Sequence, residues 1–215
     1  MSQPARSSPT PSFNDPRSPT ERRQITVLFC DLVGSTSLAA RLDPEDLRDL
    51  VRVYHARCDE IVREFDGSVA QFLGDGVMAR FGYPLAHEDD AERAIRCGLE
   101  MIEAIRKLGA GMKLEARVGI ATGVVVVGDQ LGSEPTLERA AVGETPNLAA
   151  RLQSLAQPGS LVIEDRTKRL IGNLFNCQDI GSVSLKGYDE PIRAWHVLGP
   201  LGRTPNILCP PESHH

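Results

Sequence analysis

The sequence predicts an α+β fold, a ferredoxin-like βαββαβ core with a C-terminal αβ extension, in which a central, mostly antiparallel sheet is flanked by helices. Three observations carry this expectation. Hydrophobic periodicity alternates between short β-branched runs and long stretches at helical spacing, in the order strand, helix, strand, strand, helix, strand. A Gly74-Asp75-Gly76 triplet joins the two middle strands at hairpin distance. The chain of 215 residues, 41% hydrophobic and 25% charged, is also long and apolar enough to bury a core.

Each element has a local cause. Residues 25–31 are an apolar, β-branched run that ends on Asp31 and reads as a buried strand. Asp43 before Pro44 is a helix start, because proline suits the first helical position. Leu47, Leu50, Tyr54, Cys58, Ile61 and Phe65 then recur at helical spacing until Gly67. Residues 68–73 and 77–81 are short strands either side of the Asp-Gly turn signal. A second helix begins near His87-Glu88-Asp89-Asp90, whose acids suit the positive end of its dipole, and stops at Gly109. Residues 114–127 have strand character interrupted by Gly119 and Gly123. Thr145-Pro146 opens a short helix carrying Leu148, Leu152 and Leu155, and strands are expected at 160–163, 182–186 and 192–198.

Residues 1–20 are rich in Ser and Pro, with hardly a hydrophobic side chain beyond Phe13, and are expected to form a disordered leader. Residues 21–199 form the expected domain. The proline-bearing stretch 200–215 is expected to be a flexible tail or linker, suited to join a fused or associated regulatory domain. The net charge of −5 argues against broad binding to nucleic acid or an anionic membrane. Five scattered cysteines without a CxxC pair favour reduced, structural thiols and a cytoplasmic setting. No run approaches the length of a membrane span.

Three segments can carry chemistry, and each has an ordinary structural explanation too. Asp31 ends a strand and leads into Leu32-Val33-Gly34-Ser35-Thr36, a small-residue turn whose N–H groups can face an anion; a strand end with a helix cap explains the same residues. Asp75 sits between glycines at a hairpin tip, where Asp-Gly is also what a plain turn uses. In a ferredoxin-like sheet these two acids can converge, and a carboxylate pair suits hard, oxygen-preferring Mg²⁺ or Mn²⁺. Asn147 and Arg151 lie one helical turn apart on one polar face, able to hold a ribose oxygen and a developing phosphate charge, or simply to be solvated.

In combination, VLFCDLVGST at residues 27–36, FLGDGVM at 72–78 and VGETPNLAARL at 142–152 resemble the class III adenylyl and guanylyl cyclase catalytic domain of bacterial type. The resemblance runs from about Arg23 to Leu198. It implies metal ligation by Asp31, Asp75 and the Leu32 carbonyl, phosphate binding by Val33, Gly34, Ser35 and Thr36, and transition-state roles for Asn147 and Arg151. It also implies two Mg²⁺ or Mn²⁺ ions per site, a nucleoside triphosphate substrate, and a homodimer with shared active sites. The expected activity is conversion of ATP to 3′,5′-cyclic AMP and pyrophosphate. Guanylyl cyclase activity, or a catalytically weak nucleotide-binding and dimerisation module, are the alternatives.

The chain departs from the family pattern where the base is read. The positions that often carry Lys and an Asp, Thr or Ser are Gln71 and Ala140 here. Gln71 can donate or accept, whereas Ala140 offers no side-chain hydrogen bond, so weak base selectivity is expected. Lys186 lies near a family phosphate contact without matching its spacing, and His55, His196 and Trp195 have no partner pattern.

Overall fold

The protein is described by a computed structural model that covers residues 21–35, 38, 40, 42–108, 113–127 and 144–202. The expected leader, most of the expected tail, Thr36 and Ala140 lie outside the described residues. Seven strands form one sheet: β1 (Glu21–Leu32), β2 (Ser68–Leu73), β3 (Gly76–Phe81), β4 (Ala116–Val127), β5 (Ser160–Glu164), β6 (Phe175–Val183) and β7 (Ile192–Pro200). Their spatial order is β2-β3-β1-β4-β5-β7-β6, and only the β4–β5 pairing is parallel. Among the described residues, four helices are assigned: α1 (Pro44–Glu64), α2 (Asp90–Leu108), α3 (Glu144–Leu155) and α4 (Asp165–Ile171). The expected βαββαβ core is thus present, with α3, β5, α4, β6 and β7 as the C-terminal extension.

Side-chain alternation along β1 divides the protein into two layers. Leu28, Cys30 and Leu32 meet Tyr54, Cys58 and Ile61 of α1 and Ile95 and Met101 of α2 on one face. Ile25 and Val27 meet Ala149 and Leu152 of α3 on the other. Helix α3 can approach β4 so closely because two residues beneath it lack side chains. A Cβ on Gly119 would collide with the backbone of Ala149 and Gln153, and one on Gly123 with Thr145 Oγ1. Thr145 therefore lies over Gly123 and Gln153 over Gly119, so the helix runs antiparallel to the strand.

Two elements differ from the sequence expectation. The strand expected at 182–186 lies at Phe175–Val183, and Leu185 and Lys186 fall in the loop after it. Asn176, Gln178 and Asp179 give this edge strand no apolar alternation, and two register irregularities interrupt its pairing with β7. Helix α4 has no counterpart among the expected elements. Its cap is Glu164, whose Oε1 accepts from the N–H groups of Thr122 and Thr167, both at 3.1 Å, and from the Thr167 hydroxyl at 2.9 Å. Hydroxyl contacts of 2.8 Å and then 2.9 Å extend this network from Thr167 through Thr122 to Thr26. Burial pushes the Glu164 carboxyl up, and those donors oppose the shift.

Cys30, Cys58 and Cys97 are free and buried, as structural thiols should be. Neighbouring thiols and burial push Cys58 well above the ordinary cysteine range, and burial does the same to Cys97, which keeps both protonated and unreactive. The atoms a Gly119 side chain would meet are backbone, which cannot swing aside. Gly119→Ala is expected to destabilise the protein by about 3 kcal/mol or more through overpacking, read as a lower midpoint in urea denaturation; an unchanged midpoint would show that α3 is free to shift.

Candidate functional site

Asp31 and Asp75 come together at the end of the sheet. Asp31 is the penultimate residue of β1 and pairs with Gly76 on β3 and Arg117 on β4. Its side chain alternates onto the α3 face, the same face as Ile25 and Val27. Leu73 pairs with Gly76, so Gly74 and Asp75 are the two loop residues of the hairpin. Gly74 has φ 64°, and the only described non-glycine residue with positive φ is Asp66, which gives the turn the II′ pattern with glycine first. Gly76 is therefore the first residue of β3 rather than part of the loop, and its missing side chain leaves room beside Asp31, whose Oδ1 lies 3.7 Å from where a Cβ would be.

The two carboxyl groups are within hydrogen-bonding reach of one another. Burial, then the Asp75 charge and the hydrogen bond to Asp75, raise Asp31 from its ordinary 3.8 to about 6; Arg117 and the Leu32 N–H oppose the shift. Three buried polar atoms border this pair without a hydrogen-bond partner: Asp75 Oδ2, Arg117 Nε and His55 Nε2. A buried carboxylate oxygen with no donor, beside a second carboxylate, is a donor set that fits a divalent cation. Among the described residues no third His, Cys, Asp or Glu joins them. The rest of a coordination shell must come from backbone carbonyls, water or substrate oxygens, which is the usual arrangement for Mg²⁺.

The turn after Asp31 is only partly available to a phosphate. Val33 donates its N–H to the Glu115 carbonyl at 2.8 Å, which leaves Gly34 and Ser35 as the described residues of this turn whose N–H groups could meet one. Gly34 adopts φ 74°, and its carbonyl accepts from Leu38 N–H at 2.9 Å, the spacing of a helical turn. Leu32 anchors the segment through its buried side chain.

Gln71 reaches the Asp31 face through a bulge. The β2–β3 register shifts between Val69 and Gln71, which leaves Gln71 opposite Met78, and Met78 belongs to the α3 layer. Val69 packs into the opposite layer. Without the extra residue, regular alternation from Val69 would turn Gln71 away from the acids. Two strand spacings, about 10 Å, separate β2 from β1.

Asn147 and Arg151 are exposed on α3, opposite its buried Ala149 and Leu152. They are not brought to the acids within one chain. Thr145 stands over Gly123, six residues along β4 from Arg117, the partner of Asp31. At the rise of a strand this is about 20 Å, and α3 returns toward the acids at about 1.5 Å per residue. Asn147 and Arg151 therefore lie roughly 17 Å and 11 Å from the level of Asp31. The loop bearing exposed Lys186 is tied to the start of α3, where Tyr188 Oη donates to the Glu144 carbonyl at 2.9 Å.

Arg117 carries no sequence signal. Only the strand register reveals it, because a single arginine in an apolar run has no motif of its own. The acids before α2 prove structural: Arg93 pairs with Asp66 at 3.0 Å, Asp89 at 3.1 Å and Asp90 at 2.7 Å. Trp195 packs on the core and donates to Asp165 at 3.4 Å. A cavity of about 570 Å³ at the other end of β1, bounded by Arg23, Thr26, His87 and Leu170, contains none of the predicted site residues.

Comparison with known proteins gives one family. The family model described as Adenylate and Guanylate cyclase catalytic domain matches residues 18–199. An uncharacterized protein of Rhizobium meliloti (strain 1021) is 37% identical over 183 residues, covering 83% of this chain but only 18% of the relative's length. The adenylyl cyclase CyaB from P. aeruginosa is similar in structure, with 31% identity, a TM-score of 0.74, and coverage of 83% of this chain and 95% of that one. The guanylyl cyclase Cya2 is similar to the same degree, with 33% identity, a TM-score of 0.73, and coverage of 84% and 94%. None of the described helices is long and apolar enough to cross a membrane.

The acid pair predicts a pH dependence for the metal-free protein. Asp31 is raised from 3.8 to about 6, so in that window the folded state holds a proton the unfolded state has lost, and stability falls as pH rises. Calorimetry in chelator should show this decline. Asp75→Asn is expected to flatten it and raise the midpoint at pH 7 by a few degrees; an unaltered slope would mean the two carboxyl groups do not interact.

Proposed function

This chain belongs to the adenylate and guanylate cyclase catalytic domain family, and from that premise we propose that it converts ATP to 3′,5′-cyclic AMP and pyrophosphate at sites shared between two copies. The observation that carries the reading is the contact between Asp31 and Asp75, with a buried Asp75 oxygen that has no donor. In this reading Asp31, Asp75 and the Leu32 carbonyl hold two Mg²⁺ or Mn²⁺ ions. Such ions, when bound, lower the pKa of the ribose 3′ hydroxyl and neutralise charge on the triphosphate.

The chain's own residues then bind and orient. Gly34 and Ser35 N–H groups meet phosphate oxygens, and Arg117, beside Asp31, adds a positive charge facing them. The 3′ oxygen bonds to the α-phosphorus as the bond to the bridging oxygen breaks, pyrophosphate leaves with that electron pair, and the hydroxyl proton passes to solvent. Arg151 of a second copy stabilises the charge that grows on the leaving oxygens, and Asn147 of that copy orients the ribose. The displacement of these two from the acids along α3 supports a site completed by a second chain. Cytoplasmic placement and control by a regulatory segment belong to the same proposal, consistent with relatives far longer than this chain.

ATP is the proposed substrate by analogy with bacterial adenylyl cyclases such as CyaB, and the comparable likeness to Cya2 keeps the preference modest. Gln71, turned to the Asp31 face, can satisfy either purine. ATP is expected to be turned over faster than GTP by about tenfold, far short of the discrimination a fully hydrogen-bonded base pocket gives. Parallel assays in Mn²⁺ decide this, and faster turnover of GTP would reassign the substrate.

Sharing of sites is tested by complementation. Asp31→Ala and Arg151→Ala are each expected to lose activity by about 100-fold or more. An equal mixture should recover about a quarter of wild-type activity, since half of randomly formed dimers carry one intact site of two. No recovery from proven heterodimers would count against it.

A further inference from the structure

The loop between β6 and β7 reaches the helix that carries Asn147 and Arg151, and the strand register places it there. Ile163 of β5 pairs with Ile120 on β4 and with Trp195 on β7, so Ile192, three residues before Trp195, stands at the level of Gly123. Thr145, the second residue of α3, lies over the same glycine. The loop that leads into β7 is therefore level with the first turn of α3.

This loop gives Tyr188 a rigid base. Its N–H donates to the Leu185 carbonyl at 3.1 Å, which closes a four-residue turn. Gly187 has φ 92° in the third position of that turn while Lys186 has no positive φ, which is the type II pattern. Leu185 is buried and fixes the turn to the core, whereas Lys186 is exposed. From this base the Tyr188 hydroxyl donates to the Glu144 carbonyl at 2.9 Å. Burial, then the Glu144 charge, push the phenol above its ordinary 10.0, with Arg151 opposing, so it is a protonated donor at neutral pH.

The inner side of α3 is seated on Gly119 and Gly123, contacts that set how closely the helix approaches β4. Glycines offer no side chain to oppose a roll of the helix about its own axis. A roll of about 10° moves a side-chain tip about 6 Å from the axis by about 1 Å, and a misplacement of about 1 Å can cost about 100-fold in rate. A hydrogen bond from a rigid loop to the first residue of the helix resists that roll. We propose that Tyr188 is a positioning residue: its hydroxyl braces the first turn of α3 and so sets the angle at which Asn147 and Arg151 are presented to the other copy's acids. The proposal rests on the reading of Asn147 and Arg151 as the residues that complete a shared site.

The test compares kcat and KM on the full chain in Mn²⁺, with whichever of ATP and GTP is turned over faster. Tyr188→Phe keeps the ring and removes the donor. Its kcat is expected to fall about fivefold with KM unchanged, because groups that act only in the transition state are the ones displaced. The thermal midpoint is expected to fall by no more than about 4 °C. A brace that acts through Arg151 must also couple to it: in the Arg151→Ala background the same substitution is expected to cost about twofold or less, whereas an independent loss would multiply. Should Tyr188→Phe fail to fold, Tyr188→Leu serves as the donorless variant. Arg151→Ala separates the two claims. If it is as active as wild type, the reading of a shared site fails and the proposal with it. If it loses activity while the donorless Tyr188 variant keeps its kcat, changes KM alone, or loses the same fivefold in both backgrounds, the positioning role alone is overturned.

Discussion

Strand β1 is hydrogen-bonded on both sides, to β3 over residues 26–31 and to β4 along its whole length, and both its faces are covered by helices. A strand confined in this way cannot slip, because a shift of one residue would send Leu28 and Cys30 into the α3 layer and Ile25 and Val27 into the other. The same register decides where the acids stand. Asp31 shares a level with Gly76 and Arg117 only because Val27 and Leu28 each have one acceptable face. The geometry of the site is thus inherited from packing several residues away, in side chains that never approach a ligand.

Much of this was legible in the residues. The apolar run before Asp31, the helical recurrence from Leu47 to Phe65 and the Gly-Asp-Gly hairpin each arise from local chemistry, and the helices and strands they imply are present. The rest was set by long-range pairing. Strand β6 is polar along an edge and carries two irregularities, so no alternation marks it. Helix α4 begins on a buried glutamate whose donors come from β4 as well as from its own first turn. Arg117 and the orientation of Gln71 depend on register, which one chain segment cannot reveal by itself.

Two acids of the domain show how differently a buried carboxylate oxygen can be accommodated. Glu164 Oε1 gathers three donors and serves as a rivet between β4, β5 and α4. Glu164 Oε2 and Asp75 Oδ2 are both buried without a donor, but of the two only Asp75 also has a second carboxyl group beside it. Fold stability would favour the first arrangement everywhere. Retaining the second concentrates an unfavourable charge interaction at one end of the sheet, where a cation is the natural means of relieving it. The hairpin bearing Asp75 is short and tightly backed by α1, so the strain stays local.

The antiparallel course of α3 over β4 also acts as a lever. Its polar face projects well away from the acids, so in the proposed pair of chains the alignment of one copy's α3 with the other's acids would depend on how the two bodies are turned. A rotation of about 10° sweeps a point about 20 Å from the pivot through about 3.5 Å, and displacements near 1 Å already cost roughly 100-fold in rate when reacting groups must be aligned. A torque delivered at the periphery would therefore act as a throttle on the chemistry, with every bond inside each copy left unchanged.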